Sequence, residues 1–274
     1  MEAWREELYH HGILGQKWGV RRFQDYDGRR IKSPVTKTGE NDIDAESFSK
    51  SLMNEKIGMI DPVSSIVATV ALNLMIVAVD DITANVKANR DFNKLYKNRD
   101  IENLEDAPKL SKPMPAEKSM KLVNPGFPNP GTTDNCVLCS TAMAMREKGY
   151  DVKAATSKDG FYNRHVEKLF KDVKMQEWRE NKKKNTDLVG TLTSQGDGAY
   201  GQLFVYWKSG GGHCVFWKND GGKTRIYDAQ SGEELIPDRS EKGLLNKIYN
   251  NGYYTRLDNA EPTENVLAAV RRAS

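Results

Sequence analysis

Cysteine is scarce in this chain: Cys136, Cys139 and Cys214 are three in 274 residues. An odd and small set argues against a disulfide scaffold and fits a reducing compartment at the point of action. Hydrophobic residues are also few, 38% against 29% charged. That is too little apolar material for core throughout, so a packed part and a loosely ordered part are expected. Neither sign of charge dominates. The 41 basic and 38 acidic residues leave +3, and the basic residues are scattered, so no nucleic-acid partner is expected. The opening "MEAWREELYHHG" has no apolar run and no small-residue cleavage pattern, so no secretory leader is expected. Export would need another route, such as carriage inside a larger particle.

One long uncharged apolar run is present, at residues 63–79, between Asp61-Pro62 and Asp80-Asp81. A spanning helix needs about 20 apolar residues, about 17 at the least, and Ser64, Ser65, Thr69 and Asn73 dilute this one. Pro62 suits a helix start, and Ser65, Ala68, Ala71 and Ala78 suit close helix packing. The run reads as a buried or self-associating helix, with membrane contact as the alternative. Around it the chain divides as follows. Residues 1–35 are too short for a core and read as a docking element. Residues 36–100 are a helical region containing the 63–79 run. Residues 101–130 form a linker, in a proline-rich stretch holding Pro108, Pro113, Pro115, Pro125, Pro128 and Pro130. Residues 131–258 are the globular domain and 259–274 a C-terminal tail.

The globular part reads as α+β. A helix is expected over 135–149, capped by Asp134 or Asn135 and stopped by Gly149. A second helix is expected over 159–173, then a surface connection over 176–195. A strand follows at 199–207, a hairpin over 210–234, and a short helix with a last strand over 240–258. In the hairpin, alternation puts His213, Val215 and Trp217 on one face and Cys214 and Phe216 on the other. Asn219-Asp220-Gly221-Gly222 is a turn signal. With Asp220 and Gly221 as the two turn residues, Trp217 pairs with Thr224, Val215 with Ile226, and His213 with Asp228. A carboxylate opposite an imidazole can orient it and stabilise its charged form, and a slip of one residue would part the two. The glycines before His213 leave room for a substrate to approach the backbone.

Cys136 opens the expected 135–149 helix. The positive end of a helix dipole favours a thiolate, and its backbone N–H groups can hold an oxyanion. Cys136, His213 and Asp228 together make a candidate cysteine-nucleophile site. Zinc is the competing use of Cys136-x-x-Cys139 with His213-Cys214. Adjacent strand residues point to opposite faces, which leaves three ligands and a poor structural site, so no metal is expected. Cys139 and Cys214 read as core, and His165 as a surface residue.

These motifs carry a resemblance. "NCVLCSTAMAMREKGYDVKA", "GGHCVFW" and "RIYDAQSGE" resemble the papain-fold toxin domains of bacterial polymorphic toxins and effector deamidases. The resemblance spans roughly residues 130 to 258. It implies a papain-like fold, with a nucleophile helix packed on an antiparallel sheet. It also implies Cys136 as nucleophile, His213 as general base and Asp228 as orienter, with Gln230 and Gly232 on an Asp-x-Gln-x-Gly pattern and no cofactor. The implied activity is hydrolysis of a carboxamide, with a glutamine of a host protein as substrate. Papain-type peptidases carry an oxyanion glutamine shortly before the nucleophile. Here "NPGFPNPGTTDN" has none, so Asn129, Asn135 or backbone alone would serve. Separately, "HHGILGQKWGVRRFQ" resembles a string near the N-terminus of proteins encoded in tailed-phage and prophage structural gene blocks. That implies docking to capsid or portal proteins through residues 10–24, and a virion-associated chain delivered to or made in the bacterial cytoplasm. A virion structural or assembly protein with an inactive papain-like domain, and a cysteine peptidase, remain the alternatives.

Overall fold

Residues Val137 to Arg146 are all buried. A helix that hides its whole circumference must be enclosed by other elements, and the rest of the fold does this. The computed structural model describes residues 86–157, 165–180 and 187–273. The docking element at 10–24 and the apolar run at 63–79 lie outside the described residues.

The described chain opens in a helix, α1 (86–97). It is followed by α2 (Ala116–Val123) and α3 (Cys136–Glu147), and then β1 (Val152–Ala154), α4 (Val166–Leu169), β2 (Gln176–Arg179) and α5 (Leu188–Thr193). The remainder is β3 (Tyr200–Tyr206), β4 (Gly212–Asp220), β5 (Lys223–Asp228), β6 (Glu233–Leu235), α6 (Leu244–Lys247) and β7 (Asn251–Tyr254). A 3-10 turn (Glu264–Ala268) and β8 (Val270–Arg272) close it. Among the described residues one sheet runs β2-β7-β3-β4-β5-β6 and a second pairs β1 with β8. All the pairings are antiparallel.

The six-stranded sheet is apolar on both faces. Phe204, Cys214, Phe216 and Tyr227 pack with α3 in one core. Leu203, Val205, Val215, Trp217 and Ile226 pack with Leu188, Leu192, Leu244 and Ile248 in the other. Alternation along β4 produces this division, as the sequence pattern predicts. The Ser140 hydroxyl donates to the Cys214 carbonyl at 3.2 Å and pins α3 to β4. Gly201 lets β3 meet the chain after β7: a Cβ there would fall on the Thr255 carbonyl oxygen, which already accepts from Trp217 Nε1 at 3.1 Å.

Several sequence expectations change in the packed molecule. The hairpin turn is Gly221-Gly222, both at positive φ (56° and 76°), with Asp220 paired to Lys223 and Asn219 to Thr224. Asn219 is a buried strand residue, and its amide donates to the carbonyls of Leu192 and Gly196, each at 2.8 Å. These bonds fix the register two residues from the expected one. An even slip keeps every side chain on its face, so His213 and Asp228 remain together.

The stretch read as a linker is packed too. Ile101, Ala107, Ala116, Met120 and Val123 join the core, because prolines interrupt elements without preventing burial between them. The tail is equally integral: Val266, Leu267 and Ala268 are wholly buried and β8 pairs with β1. In place of a surface connection over 176–195 stand β2 and α5, and Trp178, Leu188 and Leu192 there are buried. The helix expected over 159–173 is limited, among the described residues, to α4 after a single-residue 3-10 step. His165 is buried, 2% exposed, with its ring 5.1 Å from that of Phe92.

Candidate active site

α3 begins at Cys136, after Asn135 in a non-helical conformation (φ −111°, ψ 24°), and no side chain caps it. The first N–H groups of a helix have no partner within it; here the Asn135 side chain takes none of them. The Cys139 N–H closes the first turn on the Asn135 carbonyl at 2.9 Å. Cys136 is partly exposed, whereas Cys139 and Cys214 are buried. Burial holds both of those thiols well above their ordinary value, with nearby Cys136 and Asp228 adding to it. They are neutral core groups, as expected of them.

His213 stands near the start of β4. Its imidazole Nε2 meets Asp228 Oδ2 at 2.9 Å, and both side chains are almost wholly buried. The β4–β5 ladder ends at Phe216–Tyr227, so the expected direct pairing of His213 with Asp228 does not occur. The carboxylate reaches the ring diagonally, a distance long side chains span. Cys136 neighbours the same imidazole closely enough to help hold its charged form. With Nε2 turned to Asp228, Nδ1 is the nitrogen placed to exchange a proton with the thiol. The structure thus brings Cys136, His213 and Asp228 together.

The electrostatics favour an imidazolium. Burial alone would push the His213 ring down, but the Asp228 carboxylate, by charge and hydrogen bond, and the Cys136 thiol outweigh it and raise the ring to about 10. Burial likewise opposes the Asp228 charge. The histidine and two backbone N–H groups nevertheless hold its carboxyl below the usual range. Those donors are the N–H of Gln230 at 3.0 Å and of Ser231 at 3.4 Å, both to Oδ1. One carboxylate oxygen therefore holds the turn and the other holds the imidazole.

The Asp-x-Gln-x-Gly spacing acquires a physical meaning here. The Gly232 N–H closes the turn on the Asp228 carbonyl at 2.8 Å and needs positive φ, 78°. Gln230 reaches across to the residue before the nucleophile: its amide donates to Asn135 Oδ1 at 3.1 Å. The Asn135 amide donates in turn to Asn124 Oδ1 at 3.2 Å and to the Ala155 carbonyl at 3.1 Å. Asn124 donates to the carbonyls of Thr132 and Gln230, at 3.0 and 2.9 Å. The Asn135 amide group is thus engaged within the fold, directly before Cys136. Asn129 is exposed in the preceding loop. A cleft of about 330 Å³ opens beside this network, lined among others by Met120, Asn124, Phe127, Gln230 and Ser231.

Two neighbours were missed by the sequence reading. Asn124 sat in the stretch read as linker, before Pro125. Trp207 packs on His213 with ring centroids 5.8 Å apart and planes 28° apart. The signal for Trp207 existed: it lies two residues beyond Val205, which pairs with His213. Two of the three glycines before His213 are used by the β3–β4 turn, Gly210 and Gly211 at φ 104° and 90°.

No curated protein and no solved structure matches the chain. Residues 134–233 match the family model described as papain fold toxin 1, glutamine deamidase. The matched segment begins two residues before Cys136 and ends one residue after Gly232, and it has an α+β papain fold in which a helix is followed by an antiparallel sheet.

Proposed function

We propose that this chain is a cysteine-dependent deamidase acting on a glutamine carboxamide of a protein, with Cys136 as nucleophile, His213 as acid and base, and Asp228 as orienter. The observation that carries the reading is one imidazole bonded to Asp228 through Nε2 at 2.9 Å and held in its charged form with help from neighbouring Cys136, within the segment that matches the deamidase family model. The Cys136 thiolate attacks the carboxamide carbon and forms a C–S bond. The oxyanion is held by the N–H groups at the start of α3. The C–N bond breaks, and ammonia leaves with the proton carried by His213. Water then attacks the thioester and gives His213 a proton. The C–S bond breaks, which frees a carboxylate product and regenerates Cys136. Asp228 keeps the imidazole oriented and its charged form favoured throughout.

The toxin-like setting is part of the same reading. Support for carriage by a phage particle comes from the string at residues 10–24, and a pull-down of capsid or portal proteins by that peptide tests it. For the activity, the full chain is incubated with candidate host proteins, and ammonia release and the amide-to-acid mass change are followed. Activity is expected to vanish in Cys136→Ala. Equal activity in that variant would remove the mechanism, and peptide-bond cleavage without deamidation would make the enzyme a peptidase.

A further inference from the structure

The face of Trp207 packs on His213, and Trp207 is also a wall of a second pocket, about 280 Å³, formed with Lys208, Ser209 and Lys247. Trp207 is 8% exposed, and its buried indole Nε1 has no hydrogen-bond partner among the described residues. A buried indole N–H ordinarily has one. Lys208 and Lys247 are exposed, and among the described residues no carboxylate pairs with either. The two lysine-bearing segments are tied together: the Lys208 N–H donates to the Lys247 carbonyl at 2.8 Å and Lys208 Nζ to the Asn246 carbonyl at 2.7 Å. The lysines are therefore held as a pair next to Trp207, whose ring packs on the histidine.

We propose that this pocket is a substrate subsite for an acidic side chain, Asp or Glu, next to the target carboxamide of the protein substrate. The proposal rests on the deamidase reading above. A carboxylate there meets two ammonium groups, while its methylene groups lie against the indole that walls the pocket. Charges at a binding rim act chiefly on encounter and register, which is what an enzyme choosing one glutamine among many requires.

The test uses the full chain as Cys136→Ala, so that binding is read without turnover. Two fluorescent peptides carry a single glutamine and differ only in its flanking residues, glutamate in one and serine in the other. At low salt the acidic peptide is expected to bind roughly fivefold tighter, from two partly exposed ion pairs, and the gap is expected to shrink as salt rises. Adding Lys208→Glu with Lys247→Glu is expected to level or invert the order. Equal affinities, binding of neither peptide, or an acidic preference that survives the charge reversal would each overturn the proposal. Ammonia release by the unaltered chain separates the two claims. Equal release from both peptides removes the subsite and leaves the deamidase. No release from either, with the acidic binding preference intact, removes the deamidase and leaves the pocket.

Discussion

Asp228 Oδ2 lies 2.9 Å from His213 Nε2 although the two residues are not partners in the β4–β5 ladder, which ends at Phe216–Tyr227. The diagonal approach leaves Asp228 Oδ1 to the N–H groups of Gln230 and Ser231. The carboxylate is thereby fixed by its own turn, and the imidazole is fixed by the carboxylate.

Asp228→Asn tests this relationship. The neutral amide removes the charge that holds His213 protonated, and deamidation is expected to fall by about 100-fold or more. The check is initial-rate ammonia release, with circular dichroism to show that the fold persists. Activity within a few-fold of the unaltered chain would show that Asp228 has no orienting role.

The buried pair also predicts how stability depends on pH. His213 is raised in the fold, so its contribution is complete below its ordinary value of 6.5 and is lost as pH rises through about 10. Asp228 is lowered, so its contribution is complete above its ordinary 3.8 and is lost as pH falls through its still lower folded value. The pair therefore contributes fully from pH 3.8 to 6.5. Urea denaturation midpoints across pH, compared with His213→Gln/Asp228→Asn, are expected to differ in shape on both flanks of that window. Parallel curves would contradict it.

Thiol chemistry should separate the three cysteines. Burial keeps Cys139 and Cys214 neutral, whereas Cys136 is partly exposed. Brief iodoacetamide treatment is expected to alkylate Cys136 alone in the native protein, and all three residues after denaturation in urea. Peptide mass spectrometry reads the sites. Early labelling of Cys139 would contradict the packing of α3.

The amide chain from Asn124 through Asn135 to Gln230 is buried, so its loss should be costly. Asn124→Ala strips donors from the carbonyls of Thr132 and Gln230 and the acceptor from Asn135. The expected loss is about 1–3 kcal/mol, measured by equilibrium denaturation. A change within experimental scatter would mean that water replaces the side chain without cost.

Gly201→Ala places a Cβ on the Thr255 carbonyl oxygen. The strand must move, at a cost of about 1–3 kcal/mol, and the Trp217 Nε1 bond to that oxygen moves with it. Thermal denaturation gives the number, and an unchanged melting temperature would contradict the close approach.

Much of this was legible in the sequence because local chemistry dictates it. Helix α3 starts and stops within two residues of its expected bounds, since Gly149 supplies the positive φ, 88°, that ends it. Alternation in β4 sorts Cys214 and Phe216 from Val215 and Trp217. His213 and Asp228 were placed on one face by the same rule, which an even error in register does not disturb. What was misread depends on distant partners. Asn219 belongs to a strand because the carbonyls of Leu192 and Gly196 accept its amide. His165 is buried because Phe92 packs on it. The prolines between 101 and 130 look like a linker until Met120 and Val123 are seen in the core.

By itself the sequence determined which residues have the chemistry and which face or end of an element each occupies, because helix and strand periodicity are local properties of the backbone. Only the tertiary structure decided that Asp228 bonds the His213 ring with Cys136 nearby, that the amides of Asn124, Asn135 and Gln230 bond to one another, and that Trp207 packs on the imidazole. Those relationships join residues far apart in the chain, and no local spacing encodes the packing of one element on another.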